Sequence, residues 1–198
     1  MIEAGVVLVD GVAGKKASQK VGEAAELKVL EPEKYVSRGG EKLEAALREF
    51  GIEASGKSCL DIGISTGGFC DCLLQAGAAR VLGVDVGHGQ LAEKLRSDAR
   101  VELREGVNAR ELDPGMFGGR FDLVVVDVSF ISLLKILPPA IELVRNGGVL
   151  IALIKPQFEV GKERLPRDGV VKSREDQLAV VGRIEEWLGG KRAGKRSP

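Results

Sequence analysis

The chain is poor in the residues that would place it outside the cell or in a membrane. Its 198 residues include three cysteines, Cys59, Cys70 and Cys72. An odd, sparse count without framework spacing argues against a secreted disulfide scaffold and for a cytoplasmic protein with reduced thiols. Cys70-x-Cys72 is not a zinc site by itself, because the single histidine is His88 and there is no second cysteine pair. No metal is therefore expected. No apolar run has the length of a membrane span; the longest, Val149 to Ile154, stops at Lys155-Pro156 and reads as a buried strand. The start of the chain lacks a basic region followed by an apolar stretch, so no signal peptide is expected. Net charge is also missing, with Lys+Arg and Asp+Glu balanced at 29 each. Any nucleic-acid surface must then be a local patch. With one histidine, and no G-x-S-x-G around Ser37, Ser65 or Ser129, nothing supports a hydrolase triad.

What is present suits one α/β domain with a small appendage. Residues 1–34 form a leading segment with two β-like pieces, Val6 to Val9, closed by the tight-turn pair Asp10-Gly11, and Glu26 to Leu30, ending at Pro32. So short a segment cannot bury much core. Residues 35–188 alternate strand and helix signals. Strands are expected at Ser58 to Ile62, Val81 to Val86, Val101 to Leu103, Phe121 to Val126 and Val149 to Ile154. Their continuous apolar runs indicate burial on both faces, as in a parallel sheet covered by helices. Helices are expected at Gly40 to Phe50, with Leu43, Ala46, Leu47 and Phe50 on one face and Gly51 as C-cap, and at Gly89 to Arg96, Pro139 to Arg145 and Ser173 to Leu188. The last carries a stripe of Leu178, Val181, Ile184 and Leu188, and residues 189–198 look like a tail.

The chemistry gathers at the ends of the expected strands. Asp61-Ile62-Gly63-Ile64-Ser65-Thr66-Gly67-Gly68-Phe69 directly follows the first strand of the sheet. Glycines at a strand-to-helix turn let the backbone approach a ligand closely. The spacing is D-x-G-x-x-x-G-G and not G-x-G-x-x-G; this is the commoner form in enzymes that use S-adenosylmethionine (SAM). A tight turn with packing glycines is the plainer reading. Asp85 ends the second strand, where a carboxylate can accept both ribose hydroxyls of a nucleotide. Asp127 follows FDLVVV, outside the carboxyl end of a strand, where ligands of open parallel sheets bind; a helix cap is the alternative. Lys155 closes the strand LIALI, and Pro156 holds it extended. Partly desolvated, such a lysine could serve as a general base; the alternative is a lysine snorkelling to the surface. Lys42 alone would be an ordinary helix-surface lysine. The cysteines read as core filler, and His88 receives no role.

Together YVSRGGEKL (35–43), LDIGISTGGFCDCLLQAGA (60–78), GVDVGHGQLAEKLR (83–96), DLVVVDVSFISL (122–133) and LIKPQFEVGKE (153–163) closely resemble the TlyA family. These are FtsJ-like ribosomal RNA 2′-O-methyltransferases, often labelled hemolysins. The resemblance implies a Rossmann-like α/β fold with a mostly parallel twisted sheet over residues 35–198, preceded at 1–34 by part of an S4-like RNA-binding segment. It implies SAM as cofactor, held by Asp61, Gly63, Ser65, Thr66, Gly67, Gly68, Phe69, Asp85 and Val86. It implies ribosomal RNA or ribosomal subunits as partner, and a Lys-Asp-Lys-Glu catalytic set in which Lys42, Asp127 and Lys155 match the first three members. The second lysine of that set would deprotonate the ribose hydroxyl. Against the family pattern, the opening S4-like helices and the last β-hairpin, with the fourth catalytic residue, are expected to be missing. A non-catalytic RNA-binding protein that keeps the fold is therefore the alternative function. A dinucleotide-dependent oxidoreductase lacks its G-x-G-x-x-G, and a membrane-active lysin lacks any span or strongly hydrophobic amphipathic helix.

Overall fold

The computed structural model describes residues 7–14, 16, 18–22, 24–29, 33–161, 163, 165 and 169–194. The chain divides into two compact units, Met1–Lys34 and Tyr35–Pro198. In the first, strand β1 (Val7–Val9) pairs antiparallel with β2 (Val12–Ala13) and with β3 (Leu27–Val29). The β1–β2 turn is Asp10-Gly11, both with positive φ (50° and 80°), the conformation that the Asp-Gly pair favours. Val6 and Leu30, the outer ends of the two expected β pieces, lie outside the described residues, as does Pro32.

The second unit holds a five-stranded, wholly parallel sheet. Its strands are β4 (Ser58–Ile62), β5 (Arg80–Val84), β6 (Val101–Arg104), β7 (Phe121–Val126) and β8 (Val144–Ala152). They lie in the order β6-β5-β4-β7-β8. Leu60, Leu82, Leu123 and Val124 are wholly buried because both faces of the central strands are covered, which is why these segments read as continuous apolar runs. One face packs on α1 (Gly39–Glu49) and α2 (Gly68–Gln75), through Leu43, Leu47, Phe69 and Leu73. Leu91 and Leu95, around the short α3 (Glu93–Arg96), close that face. The other face packs on α4 (Leu137–Glu142) and α5 (Arg174–Gly194), through Leu137, Ala140, Val180 and Ile184.

Four expectations are corrected. The helix expected over Gly89 to Arg96 starts only at Glu93, after Ala92 in an extended conformation (ψ 138°). The helix expected over Pro139 to Arg145 ends at Glu142, and β8 begins at Val144. Its pairing with β7 slips between Phe121 and Leu123, so Arg145 to Gly148 bulge outward, with Gly147 at φ 76°. Arg145 pairs there with Asp122, whose carboxylate also accepts from the Ser58 amide, so the bulge is tied across three strands. In the last helix the buried stripe is Val180 and Ile184; Leu178 and Leu188 face solvent, and the helix continues to Gly194 where a tail was expected. Residues 195–198 lie outside the described residues. In α1, Phe50 is exposed although Leu43 and Leu47 are buried, because Gly51 at φ 61° ends the helix and turns the chain away. The cysteines are buried as core filler, and burial, helped by the Asp122 carboxylate, pushes the Cys59 thiol up to about 12.

Candidate active site

In an open parallel sheet the natural cleft lies where the strand order reverses, because the loops leaving adjacent strands there diverge to opposite faces. That point is the β4–β7 boundary. From the end of β4 runs the glycine loop, and from the end of β7 runs Asp127-Val128-Ser129. Between them opens a cavity of about 530 Å³, lined in part by Gly63, Ser65, Thr66, Gly68 and Phe69. Lys42, Asp127 and Lys155 line the same cavity, although 113 positions separate the first from the last in the sequence. It is of a size usual for small-ligand sites, roughly 300–1,000 Å³.

The glycines are required by close packing. Gly63 has φ 87°, and a Cβ there would lie 2.6 Å from the Asp127 carbonyl oxygen. A Cβ on Gly67 (φ 96°) would strike Leu91 and Leu95, and one on Gly68 would strike Ser37 where the first turns of α1 and α2 meet. The SRGG segment and the STGG segment thus need each other's missing side chains. Asp85 accepts from the Ser65 amide (2.8 Å) and the Gly87 amide (2.8 Å), which pins the loop's turn at Ser65, itself at φ 48°. Its remaining lone pairs are free to accept hydroxyls. Asp85, Val86 and Gly67 are not among the residues lining the cavity; Val86 is exposed beyond Asp85.

Lys155 is extended (φ −114°, ψ 96°), as Pro156 requires. It is neither isolated nor snorkelling to the surface. Its ammonium lies 2.6 Å from Asp127 Oδ1 and donates to Ser129 Oγ at 2.8 Å. The Asp127 contact lacks the angle of a good hydrogen bond, so charge holds it. Sequence reasoning missed Ser129, as it missed Arg38 and Glu41 on the cavity wall. It also missed Phe130, which has φ 64° and stands 91% exposed against the Phe158 ring, 5.1 Å between centroids. A bulky residue held in the left-handed region and turned to water is uncommon enough to mark a site.

Asp61 does not line the cavity. It lies wholly buried beneath the glycine loop, and neither carboxylate oxygen makes a hydrogen bond of good geometry. Burial first, then the Asp127 carboxylate, push it up to about 8, against a smaller opposing effect of the Cys70 amide. Asp61 is therefore protonated at neutral pH in the folded chain, while in the unfolded chain it ionises near 4. Between those values the folded state holds the extra proton, so stability declines as pH rises toward 8. Thermal melts from pH 5 to 9 should show this decline, and Asp61→Asn should flatten it; an unchanged slope in the variant would assign the pH dependence elsewhere.

A parallel sheet of this order, with a glycine-rich loop at its reversal point and an acid just after the next strand, is the Rossmann-like arrangement that nucleotide-binding enzymes and α/β methyltransferases share. The chain belongs to the FtsJ-like methyltransferase family, whose model matches residues 35–192. It is 45% identical to the 16S/23S rRNA (cytidine-2′-O)-methyltransferase TlyA of Mycobacterium tuberculosis over 204 residues, covering 100% of this chain and 76% of that protein. It is 46% identical to Hemolysin A of Brachyspira hyodysenteriae over 173 residues, covering 87% of this chain and 72% of that one. A solved structure from Streptococcus thermophilus, provisionally described as a hemolysin, superposes with a TM-score of 0.76 at 41% identity, covering 94% of this chain and 69% of its own. Despite that label, no helix among the described residues is long and apolar enough to cross a membrane.

Proposed function

We propose that this protein methylates a ribose 2′-hydroxyl of ribosomal RNA, with SAM as methyl donor, in the cytoplasm where ribosomes are made. The observation that carries the reading is the Lys155–Asp127 pair at the wall of a glycine-cradled cavity, in a chain of this family. The residues present fit SAM: the Gly63-to-Phe69 loop brings bare backbone to the cavity, and Asp85, outside the cavity lining but bonded to that loop through the Ser65 amide, keeps lone pairs for a ribose. Bound there, SAM supplies a methyl group already activated on a sulfonium sulfur. The protein's task is then to place the acceptor oxygen and take its proton. Lys155 takes that proton; Asp127, 2.6 Å away, stabilises the positive charge on it, and Ser129 fixes its direction. Lys42, exposed at the start of α1, faces the same cavity and orients the acceptor. Residues 1–34, read as S4-like, add RNA contacts through lysines such as Lys16, Lys20 and Lys28.

The direct test is transfer of labelled methyl from SAM to ribosomal subunits, followed by nuclease digestion. Label in a 2′-O-methylnucleoside is expected; label on a base would overturn the ribose assignment. RNA binding without transfer would leave a binding protein on a methyltransferase fold.

The exposed Phe130–Phe158 pair suits base stacking, which contributes about 1–3 kcal/mol per base. RNA bases are commonly splayed onto such rings. Phe130→Ala should therefore lower kcat/KM for RNA by roughly 5- to 150-fold. SAM affinity and Tm should stay unchanged, because so exposed a ring holds little of the fold together. Equal kcat/KM in the variant would remove Phe130 from substrate contact.

A further inference from the structure

Glu159 is a buried carboxylate that the mechanism above does not use, and its side chain is 2% exposed. It joins the two loops that carry the acceptor site. Oε2 accepts from Ser132 Oγ at 2.7 Å, and Oε1 accepts from the Leu133 amide at 2.5 Å. Both partners lie three or four residues beyond Ser129. On its own side, Glu159 ends a tight helical turn that begins at Lys155: the Phe158 amide donates to the Lys155 carbonyl (3.0 Å) and the Glu159 amide to the Pro156 carbonyl (3.0 Å). Arg183 of α5 donates to the Glu159 carbonyl at 2.7 Å and lies 3.5 Å from Oε2, which supplies the counter-charge that a buried carboxylate needs.

We infer that Glu159 is the positioning residue for Lys155, stapling the Lys155 loop to the Ser129–Leu133 loop so that the ammonium rests between Asp127 and Ser129. The inference rests on the proposed role of Lys155 in methyl transfer, yet its geometry can be tested without turnover. A plainer role would be to cap the short helical turn at Leu133–Lys135, whose own Ser132 side chain makes no capping bond. A cap alone would affect stability and leave turnover per folded molecule untouched.

The test compares wild type with Glu159→Ala, Glu159→Gln and Ser132→Ala in the full chain. Gln keeps a carbonyl for the Leu133 amide, and its NH₂ can meet a rotated Ser132 hydroxyl, so it should restore most of what Ala loses. The first readout is the labelling rate of Lys155 by an amine-acetylating reagent, with Lys42 as internal reference. Loss of the staple should raise the Lys155-to-Lys42 ratio severalfold in Glu159→Ala and less in Ser132→Ala, with Gln near wild type. The second is steady-state kinetics on ribosomal subunits: kcat should fall at least tenfold in Glu159→Ala, with KM for RNA and SAM affinity near wild type. If Glu159→Ala does not fold, Ser132→Ala carries the test, with a smaller rise in the ratio expected. A labelling ratio that stays at the wild-type value in every folded variant would overturn the inference. If the ratio rises while the wild type itself transfers no methyl, the staple stands and the proposed function falls.

Discussion

Lys155→Ala should lower kcat for methyl transfer by about 10²–10⁴-fold, the usual share of a positioned acid–base group. SAM affinity should change little, because the glycine loop and Asp85 are built from β4 and β5 and make no hydrogen bond to Lys155. Lys155→Arg is the sharper variant. It keeps a cation beside Asp127, but a guanidinium gives up no proton near neutral pH and so cannot act as base. If charge alone at this position were enough, the arginine variant would recover activity; if proton uptake is the task, both variants lose turnover to a similar extent. Calorimetric SAM titration beside a methyl-transfer assay separates these outcomes. Normal turnover in the alanine variant would take Lys155 out of the mechanism.

The central strands and the helix ahead of β4 were legible because burial on two faces leaves little choice of residue. Ser58 to Ile62 and Phe121 to Val126 match the observed strands residue for residue. The edge was less legible. β8 has one neighbour in the sheet, and none of its residues is fully buried, so its apolar run gives no sign of the strand's first residue or of the bulge at Arg145 to Gly148. The buried stripe of α5 is rotated from the expected one, since Leu178 and Leu188 are apolar but exposed. Hydrophobicity alone does not say which of two adjacent apolar positions faces the sheet.

For the site, residue type and strand-end position brought out Asp127 and Lys155, while Lys42 came forward only through the family resemblance. Their meeting in one cavity is a matter of topology: α1, β7 and β8 converge only once the strand order is known. Ser129, Phe130 and Glu159 carried no such signal. Ser129 and Phe130 sit in a loop whose conformation depends on a partner segment 26 to 28 residues later. A positive φ at Phe130 has no signature in a sequence that offers no glycine there.

In the glycine loop, packing can be separated from ligand contact. Gly63→Ala must place a methyl 2.6 Å from the Asp127 carbonyl oxygen and 3.1 Å from its carbonyl carbon. Neither side can yield cheaply. The Gly63 amide is bonded to the Val84 carbonyl at 2.9 Å, and the Asp127 amide to the Ile62 carbonyl at 3.0 Å, so β4, β5 and β7 all hold the contact in place. Backbone strain at such a position costs about 1–3 kcal/mol, and the steric clash adds to it. For a domain of this size each kcal/mol lowers Tm by about 2–4 °C. Gly118→Ala is the control. It has φ 68° but nothing within 4 Å of the added methyl, so it takes the strain without the clash. Gly63→Ala should melt lower than Gly118→Ala and should also lose both SAM affinity and turnover, since moving the Asp127 carbonyl moves the carboxylate that faces Lys155. Equal melting losses, with turnover intact in both, would mean that the loop can shift away from β7, and that the contact between Gly63 and Asp127 does not set the geometry of the site.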